Sequence, residues 1–308
     1  MRTGYITHPD CRAHDTSAGH PESARRLSAI EDALVAADLF DYLRYIEAPE
    51  VADEQLLRVH DREHLERVAA GIPVQGYAHL DPDTVVSPDS LGAARRAAGA
   101  VVRAVDLVMG GELDNAFCSV RPPGHHAERS RAMGFCLFNN IAVGAAHAMA
   151  VHGLERIAIV DFDVHQGNGT EQIFEHDRRV LFCSTFQHPF YPHTPIVNNA
   201  HMLSVPLAAT ARSEEFREAV SEHWLPALSH FRPQMLFVSA GFDAHRDDDM
   251  SGVSLTDNDY GWVTEQLRAV AADSAAGRII SVLEGGYEIH ALGRSVVKHL
   301  RVLMGWSD

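Results

Sequence analysis

The sequence predicts an α/β protein, a single domain over residues 1–308 whose mostly parallel sheet is covered by helices on both faces. Three observations predict it. Short apolar runs alternate with longer stretches of helical periodicity, the order of strand–helix–strand units. The 308 residues are 46% hydrophobic, enough for one large core. Polar, chemistry-bearing residues follow directly on the apolar runs, where open α/β sheets bind their ligands.

In chain order, TGYIT (3–7) reads as a strand. PESARRLSAIEDALVAADL (21–39) has apolar positions at helical spacing and a proline near its first turn. EQLLRVHDREHLERVAA (54–70) is a second helix, and PDSLGAARRAAGAVVRAVDLVMGGEL (88–113) a third that ends in Gly-Gly. NAFCSV (115–120) is a strand and FNNIAVGAAHAMAVHG (138–153) a helix closed by Gly153. RIAIVDFD (156–163) and RVLFCST (179–185) are strands. EEFREAVSEHWLPALSHF (214–231) is a helix expected to bend at Pro226. The strand QMLFVSAG (234–241), the helix 258–277, the strand RIISVLEGG (278–286) and a closing helix (291–305) complete the pattern.

The net charge of −16, from 42 acidic and 26 basic residues, argues against nucleic acid as a partner, because a phosphate-tracking surface carries the opposite sign. The N-terminus lacks the apolar core of a secretory signal, and no run reaches the length of a membrane span. A cytoplasmic protein without a membrane partner is expected, and a homo-oligomer is compatible with the sequence. The four cysteines, Cys11, Cys118, Cys136 and Cys183, form no C-x-x-C pair and read as reduced core thiols. Twenty histidines, several beside Asp and Gly, point toward a metal site.

Four strands deliver polar residues to one edge. RPPGHHAE brings His125 and His126; VDFDVHQGNGT brings Asp161, Asp163 and His165; GFDAH brings Asp243; LEGGY brings Tyr287. Any one of them is an ordinary polar strand end, but four together are a site. Alternation along an extended chain would point Asp163 and His165 the same way, and Asp243 is the natural third ligand. Two carboxylates and one imidazole with an open position suit a catalytic zinc. The carboxylates cancel the metal's charge, so water there needs a separate base, which the His125–His126 pair can supply. Asp161 and Asn168 are available to orient the two imidazoles. The Tyr287 phenol, after two glycines, can stabilise an oxyanion.

RPPGHHAE, GFCLFNN, VDFDVHQGNGT, SAGFDAH and LEGGY stand in the order found in the histone deacetylase family, and the chain is most similar to class II and bacterial deacetylase-like amidohydrolases. The resemblance runs from GHPESARRL to LEGGY. It implies the arginase–deacetylase fold, a parallel sheet of about eight strands, and a zinc-dependent amidohydrolase that removes acetyl or related acyl groups from amines. It makes Asp163, His165 and Asp243 the zinc ligands and His126 the base that activates the metal's water. His125 becomes its electrostatic partner held by Asp161, Asn168 orients His126, and Tyr287 polarises the carbonyl. It also implies a structural potassium ion at Asp161, Asp163, His165 and Ser184. Gly134 and Phe135 of GFC and Tyr191 of FYP would wall a tunnel for the acyl chain. Met250 would gate it, and His20, Glu22 and Arg26 would form its rim or floor.

Two departures bear on the surroundings of the site, one on packing and cation coordination behind the ligands and one on the tunnel rim. Gln166 stands where the family most often repeats the histidine, and the segment 192–201 lacks the usual glycine-rich loop. Met250 stands where relatives specific for acetylpolyamines carry a glutamate, which favours acylated lysine as the substrate. Asp247, Asp248 and Asp249 read as an ordinary solvated loop, though they could hold a polyamine tail, so an acetylated polyamine is the close alternative. A binuclear manganese ureohydrolase and a non-catalytic acyl-ligand binder are the remaining readings.

Overall fold

The computed structural model describes residues 1–306. Ten strands follow one another among the described residues: β1 (Thr3–Thr7), β2 (Arg44–Glu47), β3 (Ala78–Asp81), β4 (Thr84–Val86), β5 (Asn115–Cys118), β6 (Ile157–Asp161), β7 (Val180–Gln187), β8 (Met202–Leu207), β9 (Met235–Ala240) and β10 (Ile279–Leu283). Eight form one sheet in the order β2-β1-β5-β10-β9-β6-β7-β8, and every neighbouring pair in it is parallel. β3 and β4 pair separately as an antiparallel hairpin.

The apolar runs account for the six inner strands. Periodicity leaves unannounced the hairpin strands β3 and β4 and, in the large sheet, the two edges. β2, RYIE, is mostly exposed, and β8 contains Pro206, which an edge strand accommodates because one side of its ladder is open. β5, β6, β7, β9 and β10 are buried along their whole length, as expected of strands covered on both faces. Two groups of helices cover the sheet. Arg25–Ala36, Asp257–Ser274 and Ile289–Leu303 form one, and Ser90–Met109 with Asn140–His152 the other.

Two predicted helices are broken. The stretch 54–70 divides into Asp53–Leu56 and Arg62–Gly71, because Asp61 caps the second helix by accepting the N–H of His64 at 2.6 Å. The stretch 214–231 carries a five-residue π turn, Val220–Trp224, ahead of Pro226, whose missing N–H leaves the carbonyl of Glu222 without its usual donor. The four cysteines are buried and unpaired. No described helix is long and apolar enough to cross a membrane.

This topology creates the site. From β6 the chain runs outward through β7 and β8, then returns to β9 and β10 on the other side of β6. At such a reversal the loops beyond the strand carboxyl ends diverge and leave a crevice.

Candidate active site

The acidic stretch after β6 does not continue the strand, contrary to the alternation expected for Asp163 and His165. β6 ends at Asp161, and the carboxylates themselves fold the next residues. The N–H of Asp163 donates to Asp161 Oδ1 at 3.1 Å, and the N–H of His165 donates to Asp163 Oδ1 at 2.9 Å. Each is a side-chain turn from residue i to i+2, a conformation that Asp favours. Neighbouring loops are stitched to the same carboxylates. Asp243 Oδ1 accepts from the N–H of Val164 at 3.0 Å, and Asp163 Oδ2 accepts from that of Gly285 at 2.8 Å.

Asp163, His165 and Asp243 converge as a result. His165 Nδ1 lies 3.1 Å from Asp163 Oδ1 and 3.2 Å from Asp243 Oδ2, and all three side chains are buried. Burial disfavours a charge on His165, but the two carboxylates outweigh it and raise its pKa to about 10. Burial and the neighbouring Asp163 push Asp243 up to about 6. The cluster thus gathers protons where a cation would balance its charge. One imidazole nitrogen and two carboxylate oxygens within 4.8 Å of one another fit a single divalent ion with room for a further ligand.

The two histidines of the β5 loop lie beside this cluster, their ring centroids 4.0 Å apart. His125 Nδ1 is 2.9 Å from Asp161 Oδ2. Burial opposes a charge on His125, yet Asp161 and Asp163 raise its pKa to about 10. His126 is held well below the usual range by burial and by the charges of His125 and His165. Its Nδ1 donates to the Asn168 amide oxygen at 2.8 Å, while the Asn168 amide nitrogen donates to Glu128 Oε1 at 2.8 Å. Glu128 therefore fixes the amide and the amide fixes the tautomer, leaving the His126 Nε2 lone pair free.

A cavity of about 210 Å³ opens at this point, lined by Asp83, His126, Gly134, Phe135, His165, Phe190, Tyr191, Met250 and Tyr287. Gly134 and Phe135 both have positive φ, and the β3–β4 hairpin holds them there. Asp83 Oδ1 accepts the N–H of Gly134 at 3.1 Å and Thr84 Oγ1 accepts that of Phe135 at 3.2 Å. A Cβ at position 134 would overlap the His126 ring, so this turn requires glycine. Phe190, which sequence reasoning passed over in favour of Tyr191, stacks on His165 at 5.3 Å with the planes 17° apart. Tyr191 meets His126 edge-on at 5.2 Å. His20 is not among the lining residues; it backs Phe135 edge-on at 4.8 Å. Glu22 and Arg26 are fully buried and lie beneath the Tyr287 loop, where the Arg26 guanidinium is 5.1 Å from the Tyr287 ring. Burial and the Asp243 charge hold the Tyr287 phenol well above its usual pKa, so it is a donor.

One further residue, Asp248, departs from expectation. Asp248 is not solvated: it is buried and accepts the N–H groups of Met250, Tyr287 and Glu288 at 3.1, 2.6 and 3.0 Å. Asp247 pairs with Arg294 at 2.9 Å on the surface, and it and Asp249 are the exposed carboxylates of that run, as expected of a solvated loop. Gln166 is buried, donates to Glu171 and to the Pro195 carbonyl, and accepts from Thr194 Oγ1 at 3.1 Å, tying the 194–195 segment to the site. Ser184, opposite Asp161 across the β6–β7 ladder, keeps a buried hydroxyl without a hydrogen-bond partner.

A second carboxylate–imidazole group, Asp106, His147 and His152, differs in kind. Arg58 donates to His147 Nδ1 at 2.9 Å, which places the imidazole proton on Nε2, facing Asp106 at 2.8 Å. With that lone pair turned to a guanidinium, the group is a hydrogen-bonded tie between two helices.

The chain is similar to known proteins over nearly its whole length. A family model described as "Histone deacetylase domain" matches residues 20–303. An uncharacterized protein of Synechocystis sp. is 39% identical over 298 residues, covering 94% of this chain and 96% of that protein. The histone deacetylase-like amidohydrolase of Pseudomonas aeruginosa is 37% identical over 310 residues, covering 96% and 79%. A probable deacetylase of Archaeoglobus fulgidus is 34% identical, covering 94% and 82%. The crystal structure of the HDA15 HD domain superposes with a TM-score of 0.92 at 34% identity, covering 99% of this chain and 90% of that one.

Proposed function

The chain belongs to the histone deacetylase family, and from that premise we propose that it is a zinc-dependent deacetylase of acylated lysine side chains. The observation that carries the reading is the position of His126: neutral, with its tautomer fixed, at the end of the cavity beside Asp163, His165 and Asp243.

Asp163, His165 and Asp243 would hold zinc, which when bound supplies Lewis acidity toward the acyl carbonyl and toward water. His126 Nε2 takes the proton of the attacking water and returns it to the departing amine. His125, charged and anchored on Asp161, favours the anion that develops as the carbonyl is attacked. Tyr287, neutral at working pH, donates to the oxygen that becomes negative. Phe135, Phe190, Tyr191 and Met250 offer an apolar slot for the lysine methylenes.

The unpartnered Ser184 hydroxyl beside Asp161 supports a second, monovalent cation there, with potassium the family's usual ion. The burial of Asp248 beneath main-chain N–H groups favours acyl-lysine over acetylpolyamine, since it withdraws the middle carboxylate from any cradle of three for a cationic tail. One test sets the zinc-loaded protein on acetyl-lysine peptide, trifluoroacetyl-lysine and acetylated polyamines side by side. The reading expects turnover of the lysine substrates first. It fails if polyamines are preferred, or if no acyl amine is cleaved. Asp163→Ala and His165→Ala are expected to lose both the metal, measured by elemental analysis, and the activity.

A further inference from the structure

Glu284 closes the last strand and stands between the loops that carry His126 and Tyr287, yet it belongs neither to the ligand cluster nor to the cavity lining. It is fully buried, and among the described residues no ion pair joins its carboxylate. A carboxylate is retained in such a place only where hydrogen bonds replace its lost hydration. Here Oε2 accepts the N–H groups of Gly124 at 2.7 Å and His125 at 3.1 Å, and Oε1 faces the Ser239 hydroxyl at 3.2 Å. Gly124 and His125 lie past the end of β5, so their N–H groups have no strand ladder to enter.

The main chain of the same residue is tied to the other loop. Its N–H donates to Ala240 O at 2.9 Å, and its carbonyl accepts from the Arg26 guanidinium. Arg26 Nε also donates to Gly286 O at 2.7 Å, so the turn leading to Tyr287 is pinned on both sides. One residue therefore bridges the two loops that bring the base and the oxyanion donor together.

We propose that Glu284 is a positioning residue, which sets the His125–His126 pair against the Tyr287 loop through the main-chain N–H groups of Gly124 and His125. This rests on the reading of His126 and Tyr287 as the reacting groups. A displacement of the base by a fraction of an ångström should lower turnover and leave substrate binding in the slot largely intact.

The test uses Glu284→Ala and Glu284→Gln in the full zinc-loaded chain. An amide oxygen accepts both N–H groups while its NH2 donates to Ser239, so glutamine keeps the tie and removes only the charge. For Glu284→Ala, kcat is expected to fall on the order of 10- to 100-fold with KM changed by less than about threefold and zinc content unaltered. Glutamine should recover most of that loss. Amide hydrogen exchange over residues 122–128 should accelerate in the alanine variant and not in the glutamine variant. Unchanged kcat, unchanged exchange, or a loss that merely tracks zinc content or folded fraction would overturn the proposal. Should alanine not fold, Glu284→Met fills the space without accepting and carries the same test. If the wild-type chain cleaves no acyl amine, the functional reading fails, while the exchange measurement still decides whether the tie exists.

Discussion

Asn168 holds His126 by its amide oxygen, 2.8 Å from Nδ1, and is itself held by Glu128 at the same distance. The chain Glu128–Asn168–His126 decides which imidazole nitrogen carries the proton. Replacing Asn168 with leucine removes the acceptor and frees the ring to take the other tautomer. We expect a 10- to 100-fold fall in kcat, roughly the range found when the partner that orients an imidazole is lost. Zinc content should be unchanged, because no ligand atom is touched. Steady-state kinetics beside elemental analysis checks this; an unaltered kcat would remove Asn168 from the mechanism.

Tyr287→Phe keeps the ring over Arg26 and deletes only the hydroxyl. The loss of one oxyanion donor is expected to lower kcat by about 100- to 1000-fold with zinc retained. Full activity in this variant would mean that the anion is stabilised elsewhere.

That Asp163, His165 and Asp243, the histidine pair and Tyr287 would meet at one edge of the sheet was legible because each follows an apolar run, so residue type and position along the chain together give their place in the fold. Glu128, Phe190 and Glu284 were not, although their motifs were noted, because each acts through a contact made only when separate loops meet. Asp248 was misread for the same reason: three consecutive aspartates look solvated until the N–H groups of the Tyr287 loop are brought onto the middle one. Among the strands, the buried inner six carry strong apolar runs, while the edges β2 and β8 have one neighbour each and do not need them.

The floor of the site sets an acid limit on stability. Burial opposes ionisation of Glu22, but Arg121, His14 and Arg26 outweigh it and hold its pKa at about 2, against 4.5 when unperturbed. A depressed carboxylate stabilises the fold above its unfolded pKa. That contribution is complete above pH 4.5 and is lost as pH falls through 2. Glu22→Gln leaves the buried Arg121 guanidinium without its counter-charge, although the carbonyls of Cys11 and His14 still accept from it at 3.0 and 3.1 Å. We expect a loss of about 3–5 kcal/mol at pH 7. The difference from wild type should narrow as pH is lowered from 4.5 toward 2. Urea unfolding at several pH values measures both, and a pH-independent difference would show that packing, not charge, is responsible.

Gly285 and Gly92 separate the needs of the site from those of the scaffold. A Cβ at position 285 would overlap Asp243 Oδ2 and crowd Asp163 Oδ2, carboxylate oxygens of two of the proposed ligands, whereas one at position 92 meets nothing within 4 Å. Gly285→Ala must therefore displace the carboxylates or move the main chain that donates to Asp163 Oδ2 at 2.8 Å. We expect zinc affinity to fall by about 10- to 100-fold, the scale seen when groups supporting metal ligands are disturbed, and activity to fall with it. Gly92 lies in the Ser90–Met109 helix with ordinary φ, where alanine should raise stability by up to about 1 kcal/mol. Zinc titration against a competing chelator, together with Tm, compares the two variants. Equal zinc affinities would mean that the carboxylates can yield to a methyl group, and that the close approach of the LEGGY turn does not set the ligand geometry.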